Sequence, residues 1–319
     1  MSRIVRDRIA VSLAGAIALG VIQLVPAPAA AQAKGPLDDY VAGKAPPAFD
    51  TPEQAVEAFK AAVNNSDFDK VAELLGLDAA KAKANPGTMD TFADIQAGVK
   101  ETVRIEDKDG NKVLDIGKIQ WPLPFPLAKD DKGKWAFDTH AGLEEIADRH
   151  VGENELSTID TLKAYVDAQE DYASQDRDGD GVLEYAQKTV SSPGKQDGLY
   201  WPAEEFGGEE SPAGPALADG DALQRAKAGQ GYNGYRYRIL TGQGDNIAGG
   251  KFSYVINGNM IAGHAAVAWP VTYGLTGIKT FLVNKNGIIY QADLGENTAE
   301  IAAKIRTFNP SDEWEVVQD

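Results

Sequence analysis

The sequence predicts an α+β protein of two domains, and three observations support this. The length of 319 residues is about twice the usual domain size of roughly 150 residues. In each half, apolar residues first recur at helical spacing and then follow strand-like runs that turns separate. The hydrophobic fraction of 43% is sufficient for packed cores. Helices followed by antiparallel strands are typical of the α+β class.

The amino terminus has the pattern of a secretory signal. Three arginines precede an apolar stretch over residues 10–25, and an Ala-Gln-Ala cleavage site follows at residues 31–33. A retained membrane anchor is the alternative, but the stretch is short for a span and two prolines close it. We therefore predict that residues 1–33 are removed, that no membrane span remains and that the protein is periplasmic or secreted. Residues 34–48 are predicted to form a flexible leader.

The first domain is predicted over residues 49–150. Thr51, Pro52 and Gln54 have the N-cap, N1 and capping-box positions of a helix, and a second short helix follows. From Val103 onward the pattern changes to strands, including one over residues 121–127. The helix opening T-P-E-x-A-V-x-A-F resembles the cystatin-like fold of nuclear-transport-factor-2-like (NTF2-like) domains. That resemblance implies a helix-plus-sheet fold and no particular activity.

The second domain is predicted over residues 151–319. A helix over about residues 155–174 carries an apolar stripe, and strands joined by Asn-Gly turns at residues 257–258 and 286–287 follow it. A last helix begins near Asn297. One long helix packed on an antiparallel meander is the expected architecture. Residues 202–234 are rich in Gly, Ala, Pro and Glu, and are either an exposed acidic insertion or a lid.

Composition excludes several kinds of chemistry. The absence of cysteine excludes disulfides, thiolate metal sites and cysteine nucleophiles. A net charge of −17 argues against a nucleic-acid partner, because phosphate binding requires clustered lysine and arginine. Ser192 and Lys195 fit an S-x-x-K motif, but the Pro-Gly between them disfavours the helix that this chemistry needs. We therefore predict no catalytic residue.

Residues 176–184, here called the acidic loop, have the most specific chemical motif, D-x-D-x-D-G-x-x-E. Alternating carboxylates let a turning backbone direct oxygen ligands onto one hard cation, and a glycine permits the sharp turn. The position where an EF-hand has its bidentate glutamate is Gln187, so weak calcium binding with a structural role is expected. The alternative is an acidic turn that holds no ion. The predicted ligands are Asp176, Asp178, Asp180, the carbonyl of Val182, and Glu184.

Three Trp-Pro pairs provide the other candidate site. Tyr200, Trp201 and Trp269 could line a groove for a glycan or peptide ligand. Tryptophan before proline is held extended and is also common as a core anchor, so both interpretations stay open. The region around Tyr200 and Trp201 is the preferred ligand-binding prediction.

Several longer segments have a distinctive sequence: A-Y-V-D-A-Q-E-D-Y-A (164–173), D-R-D-G-D-G-V-L-E-Y-A-Q (176–187), S-S-P-G-K-Q-D-G-L-Y-W-P (191–202) and Y-G-L-T-G-I-K-T-F (273–281). These segments resemble one bacterial family of exported proteins, labelled domain of unknown function 2950. The resemblance covers nearly all of the chain after residue 33 and brings no activity with it. More loosely, the helix, acidic loop and meander resemble the globular heads of pilin-like secretion proteins.

These features together predict a non-enzymatic binding or structural component of the cell envelope. A structural Ca²⁺ in the acidic loop is the expected cofactor, and an envelope protein or polymer is the expected partner. The alternative is a hydrolase that acts on an envelope polymer or glycan, with the aromatic residues as its subsite.

Overall fold

A computed structural model describes residues 37–214 and 231–318. The predicted signal, the first three residues of the predicted leader and residues 215–230 of the predicted insertion lie outside the described residues. The chain divides into two compact units, with the division between Arg149 and His150. Over the described ranges, none of the helices combines the length and apolar character that a membrane crossing requires.

The amino-terminal unit begins with helices. A short 3-10 helix, Asp38–Tyr40, precedes four α-helices: α1 Pro52–Asn64, α2 Phe68–Leu75, α3 Ala79–Ala84 and α4 Thr88–Glu101. The predicted start of α1 is confirmed, because the Thr51 hydroxyl accepts a hydrogen bond from the Gln54 N–H. Sequence reasoning missed α3 and α4. The first carries little apolar pattern, and the second follows Gly87, which offers no side-chain cap.

The sheet of this unit has five antiparallel strands: β1 Val103–Lys108, β2 Asn111–Ile116, β3 Trp121–Pro122, β4 Leu127–Lys129 and β5 Trp135–Phe137. Their order is β1-β2-β4-β5, and β3 pairs with β2. The prediction of one strand over residues 121–127 is wrong, since the pairing breaks between β3 and β4. Prolines at positions 122, 124 and 126 lack the N–H groups that a continuous ladder needs.

The core of the amino-terminal unit is apolar and joins the helices to the sheet. Phe59 of α1 is fully buried, and its ring lies 5.8 Å from that of Phe137 on β5. Val63, Leu74, Leu114 and Leu127 belong to the same cluster. The observed class is therefore helix-on-sheet, with antiparallel strands throughout.

One long helix, α5, runs from Thr139 to Tyr172. The sequence predicted one helix that ends at His150 and another from about residue 155, so the continuous helix was not predicted, and the division between the two units falls within it. Gly142 is one reason for the missed start, because a glycine weakens a helical pattern. The structure requires it, since a Cβ there would lie 2.0 Å from a ring carbon of Phe125.

The carboxy-terminal unit contains a second antiparallel sheet, whose strands are β6 Tyr235–Leu240, β11 Ala265–Pro270, β12 Lys279–Asn284, β13 Ile289–Asp293 and β14 Glu315–Val316. Their order in the sheet is β14-β13-β12-β11-β6. Four short strands form two ribbons beside it: β7 Gly242–Gln243 with β8 Phe252–Ser253, and β9 Val255–Ile256 with β10 Asn259–Met260. The hairpins predicted at both Asn-Gly turns are confirmed.

This second sheet is covered on both faces. All six residues of the central strand β11 are buried. Ala266 and Ala268 pack in a cluster with Leu162 and Tyr165 of α5, whereas Val267 packs in a second cluster. That second cluster includes Ala302 of the short helix α6, Thr298–Lys304. The carboxy-terminal unit is thus a mixture of helix and antiparallel sheet, and α6 with its neighbours adds a layer that the sequence did not predict.

Candidate functional site

The acidic loop begins just after α5 and is organised around the carboxylate of Asp176. One of its oxygens accepts the N–H of Gly179 at 2.8 Å, and the other accepts the N–H of Gly181 at 2.9 Å. These bonds, with that from Gly181 the strongest, hold the pKa of Asp176 below its usual range. Both glycines have positive φ, 79° and 86°, which few other residues adopt. The loop is therefore closed by its first aspartate.

The two following aspartates turn their carboxylates toward the same place. Asp178 accepts the N–H of Asp180 at 3.3 Å, and Asp180 accepts the N–H of Val182 at 2.8 Å. As a result, Asp176, Asp178 and Asp180 each offer an oxygen, and these oxygens all lie within 4.8 Å of one another. All three residues are exposed. The structure thus brings together three of the five predicted ligands.

Glu184 has a different position. Its carboxylate accepts the N–H of Met260 at 2.9 Å, and it does not belong to the group of three aspartates. Burial, and then the charges of Asp178 and Asp180, raise the pKa of Glu184, while the bond from Met260 opposes this rise. Glu184 is therefore an anchor between the acidic loop and strand β10.

Three further contacts dock the loop on the β9–β10 ribbon. The Asn259 amide donates to Asp180 at 2.6 Å, and the Gln187 amide donates to the carbonyl of Gly258 at 2.7 Å. The backbone N–H of Tyr185 donates to the carbonyl of Met260 at 2.8 Å. Sequence reasoning did not predict these partners, because they come from a hairpin far along the chain. The Asn-Gly turn marked that hairpin but gave no signal for its contact with the loop.

Arg177 pairs with Glu209 and not with the aspartates of the acidic loop. Its side chain is only 6% exposed and donates to the Glu209 carboxylate at 2.6 Å. Its guanidinium lies over the rings of Tyr172 and Trp201, at 5.8 and 5.1 Å from their centroids. The residue between two predicted ligands thus connects the loop to the second candidate site.

That second site is a pocket of about 130 Å³ beside Tyr200 and Trp201. Trp201 is 1% exposed, and its indole N–H donates to the Glu209 carbonyl at 3.1 Å. The pocket is also lined by Ser192, Lys195 and Glu205, together with Val190, Ser191, Pro193 and Pro202. Tyr200 and Trp201 therefore share a concave surface, here called the Trp201 pocket.

Trp269 is not among the residues that line this pocket. It lies on β11 in the cluster on the α6 side, whereas Trp201 belongs to the cluster on the α5 side. The Arg238 guanidinium covers its ring at 5.2 Å. Arg238 also donates to carbonyls of Ala302 and Ile305 at the end of α6. The structure thus brings two of the three predicted aromatic residues together and places the third elsewhere.

Ser192 has partners other than the one its motif suggested. The Lys188 ammonium donates to its hydroxyl at 2.8 Å, and the hydroxyl donates to the Asp197 carboxylate at 3.0 Å. Lys188 also forms an ion pair with Asp197 at 2.6 Å. Burial acts to raise the pKa of Asp197, but hydrogen bonds from Lys188 and Ser192 outweigh it and lower the pKa to about 2. Lys195 contributes only a backbone N–H, to the Ser192 carbonyl.

The three histidines occupy separate places. His140 is exposed and lies 3.4 Å from Asp38, and His150 contacts the Asn154 amide at 3.2 Å. His264 is fully buried between the edges of Tyr165 and Tyr185, with its Nε2 3.6 Å from the Glu170 carboxylate. Burial lowers the pKa of His264 to about 4, although Glu170 acts in the opposite direction.

Comparison with known proteins gives one result. Searches of curated protein sequences and of solved structures find no match to this chain. The pattern of the family described as "protein of unknown function (DUF2950)" matches residues 47–317, which is most of the chain. The chain therefore belongs to the DUF2950 family.

Proposed function

We propose that this protein is an exported, non-enzymatic binding or structural component of the cell envelope, whose carboxy-terminal unit is stabilised by Ca²⁺ in the acidic loop. The observation that carries the calcium proposal is the convergence of Asp176, Asp178 and Asp180, whose oxygens lie within 4.8 Å of one another. The secretory pattern of residues 1–33 supports export.

The chemistry of the donor group favours calcium among the common metal ions. Three carboxylates at this spacing repel one another, and a divalent cation between them would remove that repulsion. Oxygen ligands suit Ca²⁺, which takes six to eight of them, better than they suit zinc. The carbonyl of Val182 and water would complete the set. Glu184, already bonded to Met260, would hold the loop in place as a positioning residue or rotate to bind the ion.

A cation bound in the acidic loop would stabilise the connection between distant segments of the carboxy-terminal unit. The loop joins the end of α5 to the β9–β10 ribbon through Asn259 and Met260, and the chain has no cysteine to supply a disulfide instead. A ligand that binds the folded state alone raises the free energy of unfolding by RT ln(1 + L/Kd), where L is its free concentration. At a calcium concentration about ten times the dissociation constant, the gain is about 1.4 kcal/mol.

The test is thermal unfolding of the protein that begins after residue 33, with millimolar calcium and with a chelator. We expect calcium to raise Tm by about 3–6 °C. Asp178→Asn should abolish this rise. Asp109→Asn, in the similar Asp-Gly turn between β1 and β2, is the matched control and should keep it. A full rise in Asp178→Asn, or none in the unchanged protein, would refute the proposal.

The proposed export has its own test. Mass spectrometry of the protein recovered from the periplasm or medium should give a chain that begins at Lys34. Recovery of the uncleaved chain in the membrane fraction would instead favour a retained anchor.

The contacts of Ser192 give the hydrolase alternative no support. A serine nucleophile needs a base for its proton. Here the Ser192 hydroxyl donates to Asp197, whose pKa of about 2 makes it a poor base. The lysine that contacts the hydroxyl, Lys188, forms an ion pair with the same aspartate. The hydrogen bonds and the ion pair among Lys188, Ser192 and Asp197 instead stabilise the turn between them. We therefore retain the proposal of a non-enzymatic binding or structural role.

We also propose the finer fold assignments. Packing of α1 on the sheet through Phe59 and Phe137 supports a cystatin-like arrangement of the amino-terminal unit. Packing of α5 against β11 and β12, followed by the acidic loop, supports a pilin-like head in the carboxy-terminal unit. A structure determined by experiment for each unit, compared with those folds, tests both.

A further inference from the structure

We propose that the Trp201 pocket binds a zwitterion of amino-acid size, with its carboxylate at Lys195 and its ammonium group at Glu205. This inference rests on the proposed binding role of the protein but not on the calcium site. The same chemistry occurs in a free amino acid with a small side chain and at the ends of a very short peptide.

The pocket has the size and walls for such a ligand. Its volume of about 130 Å³ has room for several water molecules. Tyr200, Trp201 and two prolines provide the apolar part of the lining. Ligand pockets commonly combine apolar walls with a few polar groups that fix orientation. A small amino acid fits this space.

The charges that line the pocket are opposite and unpaired. Both side chains are exposed, and within residues 37–214 and 231–318 neither the Lys195 ammonium nor the Glu205 carboxylate takes part in a hydrogen bond or ion pair. The neighbouring charges behave differently, since Lys188 pairs with Asp197 and Arg177 with Glu209. A zwitterion would supply the missing partner at both ends.

The remaining wall of the pocket is already fixed. Ser192 is held through its hydroxyl and its N–H, both of which donate to Asp197. The backbones of Ser191 and Tyr200 are joined by a hydrogen bond of 2.8 Å, and Arg177 covers the Trp201 ring. A preformed wall reduces the ordering that binding requires, so a small ligand can bind measurably.

The experiment is calorimetric or NMR titration of the whole protein after residue 33 with L-alanine. Two analogues serve as matched probes: N-acetyl-L-alanine lacks the ammonium group and L-alaninamide lacks the carboxylate. We expect saturable, millimolar binding of alanine and at least about tenfold weaker binding of each analogue, which corresponds to the loss of one charge-assisted contact.

Variants then assign each end. Lys195→Gln should weaken alanine binding about tenfold and remove the preference for alanine over alaninamide. Glu205→Gln should also weaken alanine binding about tenfold, and it should remove the preference for alanine over N-acetylalanine. Lys285→Gln and Glu210→Gln, which lie outside the pocket lining, should bind alanine normally. The inference is overturned if alanine does not saturate or if the blocked analogues bind equally well. The calcium response is measured separately, so either proposal can fail alone.

Discussion

The two units bury different kinds of side chain. Among the described residues of the amino-terminal unit, Thr139 is the one buried polar residue, and the rest of the core is apolar. The carboxy-terminal unit buries nine polar residues in the part that the structure describes: Asn154, Thr158, Gln169, Ser211, Gln243, His264, Thr280, Asn284 and Thr298. A buried polar group is costly unless it is hydrogen-bonded, so these residues need a structural reason.

For Gln169 the reason is the irregular backbone that follows α5. Between α5 and β6 the residues that the structure describes form few regular elements, and buried side chains satisfy some of their backbone groups instead. The Gln169 amide exchanges two hydrogen bonds with Ala186, at 2.8 and 2.9 Å. The Tyr172 hydroxyl donates to the Gln196 carbonyl at 2.9 Å. We therefore expect the first unit to be most sensitive to cavities, and the second to lost hydrogen bonds and to protonation.

The largest expected effect is a cavity in the amino-terminal unit. Phe59→Ala should lower the free energy of unfolding by about 3–5 kcal/mol, because a fully buried ring is lost against Phe137. Denaturant unfolding of the whole chain measures the loss, and hydrogen exchange should place it in residues before 150. Ile105→Ala, at a residue 38% exposed on β1, should cost about 0.5 kcal/mol. If Phe59→Ala and Ile105→Ala lowered the free energy of unfolding equally, Phe59 would not be part of the core of the amino-terminal unit.

The next effect is acid sensitivity of the carboxy-terminal unit. The pKa of His264 is about 4 in the folded protein and about 6.5 when unfolded, so only the unfolded state takes up a proton between these values. The stabilising contribution of the neutral imidazole is present above pH 6.5. It falls as the pH drops, and about 3 kcal/mol is lost below pH 4.

NMR titration of the histidine rings checks this directly. The His264 resonance should titrate near pH 4, and the His264→Gln variant should lose less stability between pH 6.5 and pH 4 than the unchanged protein. A His264 pKa close to 6.5 would contradict the prediction that protonation of this residue makes the carboxy-terminal unit sensitive to acid.

A smaller effect is expected at the buried glutamine. Gln169→Leu should cost about 2 kcal/mol, because the N–H and carbonyl of Ala186 lose their partners inside the core. Gln96→Leu provides the comparison in the first unit. Its half-buried amide donates to Val63 and Ser66, near solvent that can replace it, so about 0.5 kcal/mol is expected. Denaturant midpoints of the two variants decide between these values.

The smallest difference between the two units is expected at turn glycines, where the effects should be equal. Gly110 in the β1–β2 turn and Gly181 in the acidic loop have φ of 85° and 86°, and an added Cβ would meet nothing within 4 Å of either. Alanine should therefore cost about 1–2 kcal/mol at both, through backbone strain alone. Thermal unfolding with a chelator present makes this comparison. A markedly larger cost at Gly181 would mean that the acidic loop depends on packing as well as on backbone conformation.

Local sequence signals predicted the elements whose cause is local. The N-cap at Thr51 and the Asn-Gly turns at residues 257–258 and 286–287 are specified by neighbouring residues, and the structure contains all three. Helix α4 was missed because Gly87 offers no side-chain cap. The start of α5 was missed because Gly142 weakens the helical pattern, and its close approach to Phe125 is a tertiary contact that the sequence does not reveal. The broken strand after Trp121 could have been predicted, since alternating prolines remove the N–H donors.

By itself, the sequence determined the α+β class, the absence of disulfides and the aspartate spacing of the acidic loop, because composition and local periodicity carry this information. Only the tertiary structure decided that Glu184 bonds to Met260, that Lys188 and Asp197 hold Ser192, and that Trp269 is apart from Trp201. These contacts depend on how distant segments pack against one another, and that packing cannot be predicted from the local spacing of residues in the sequence.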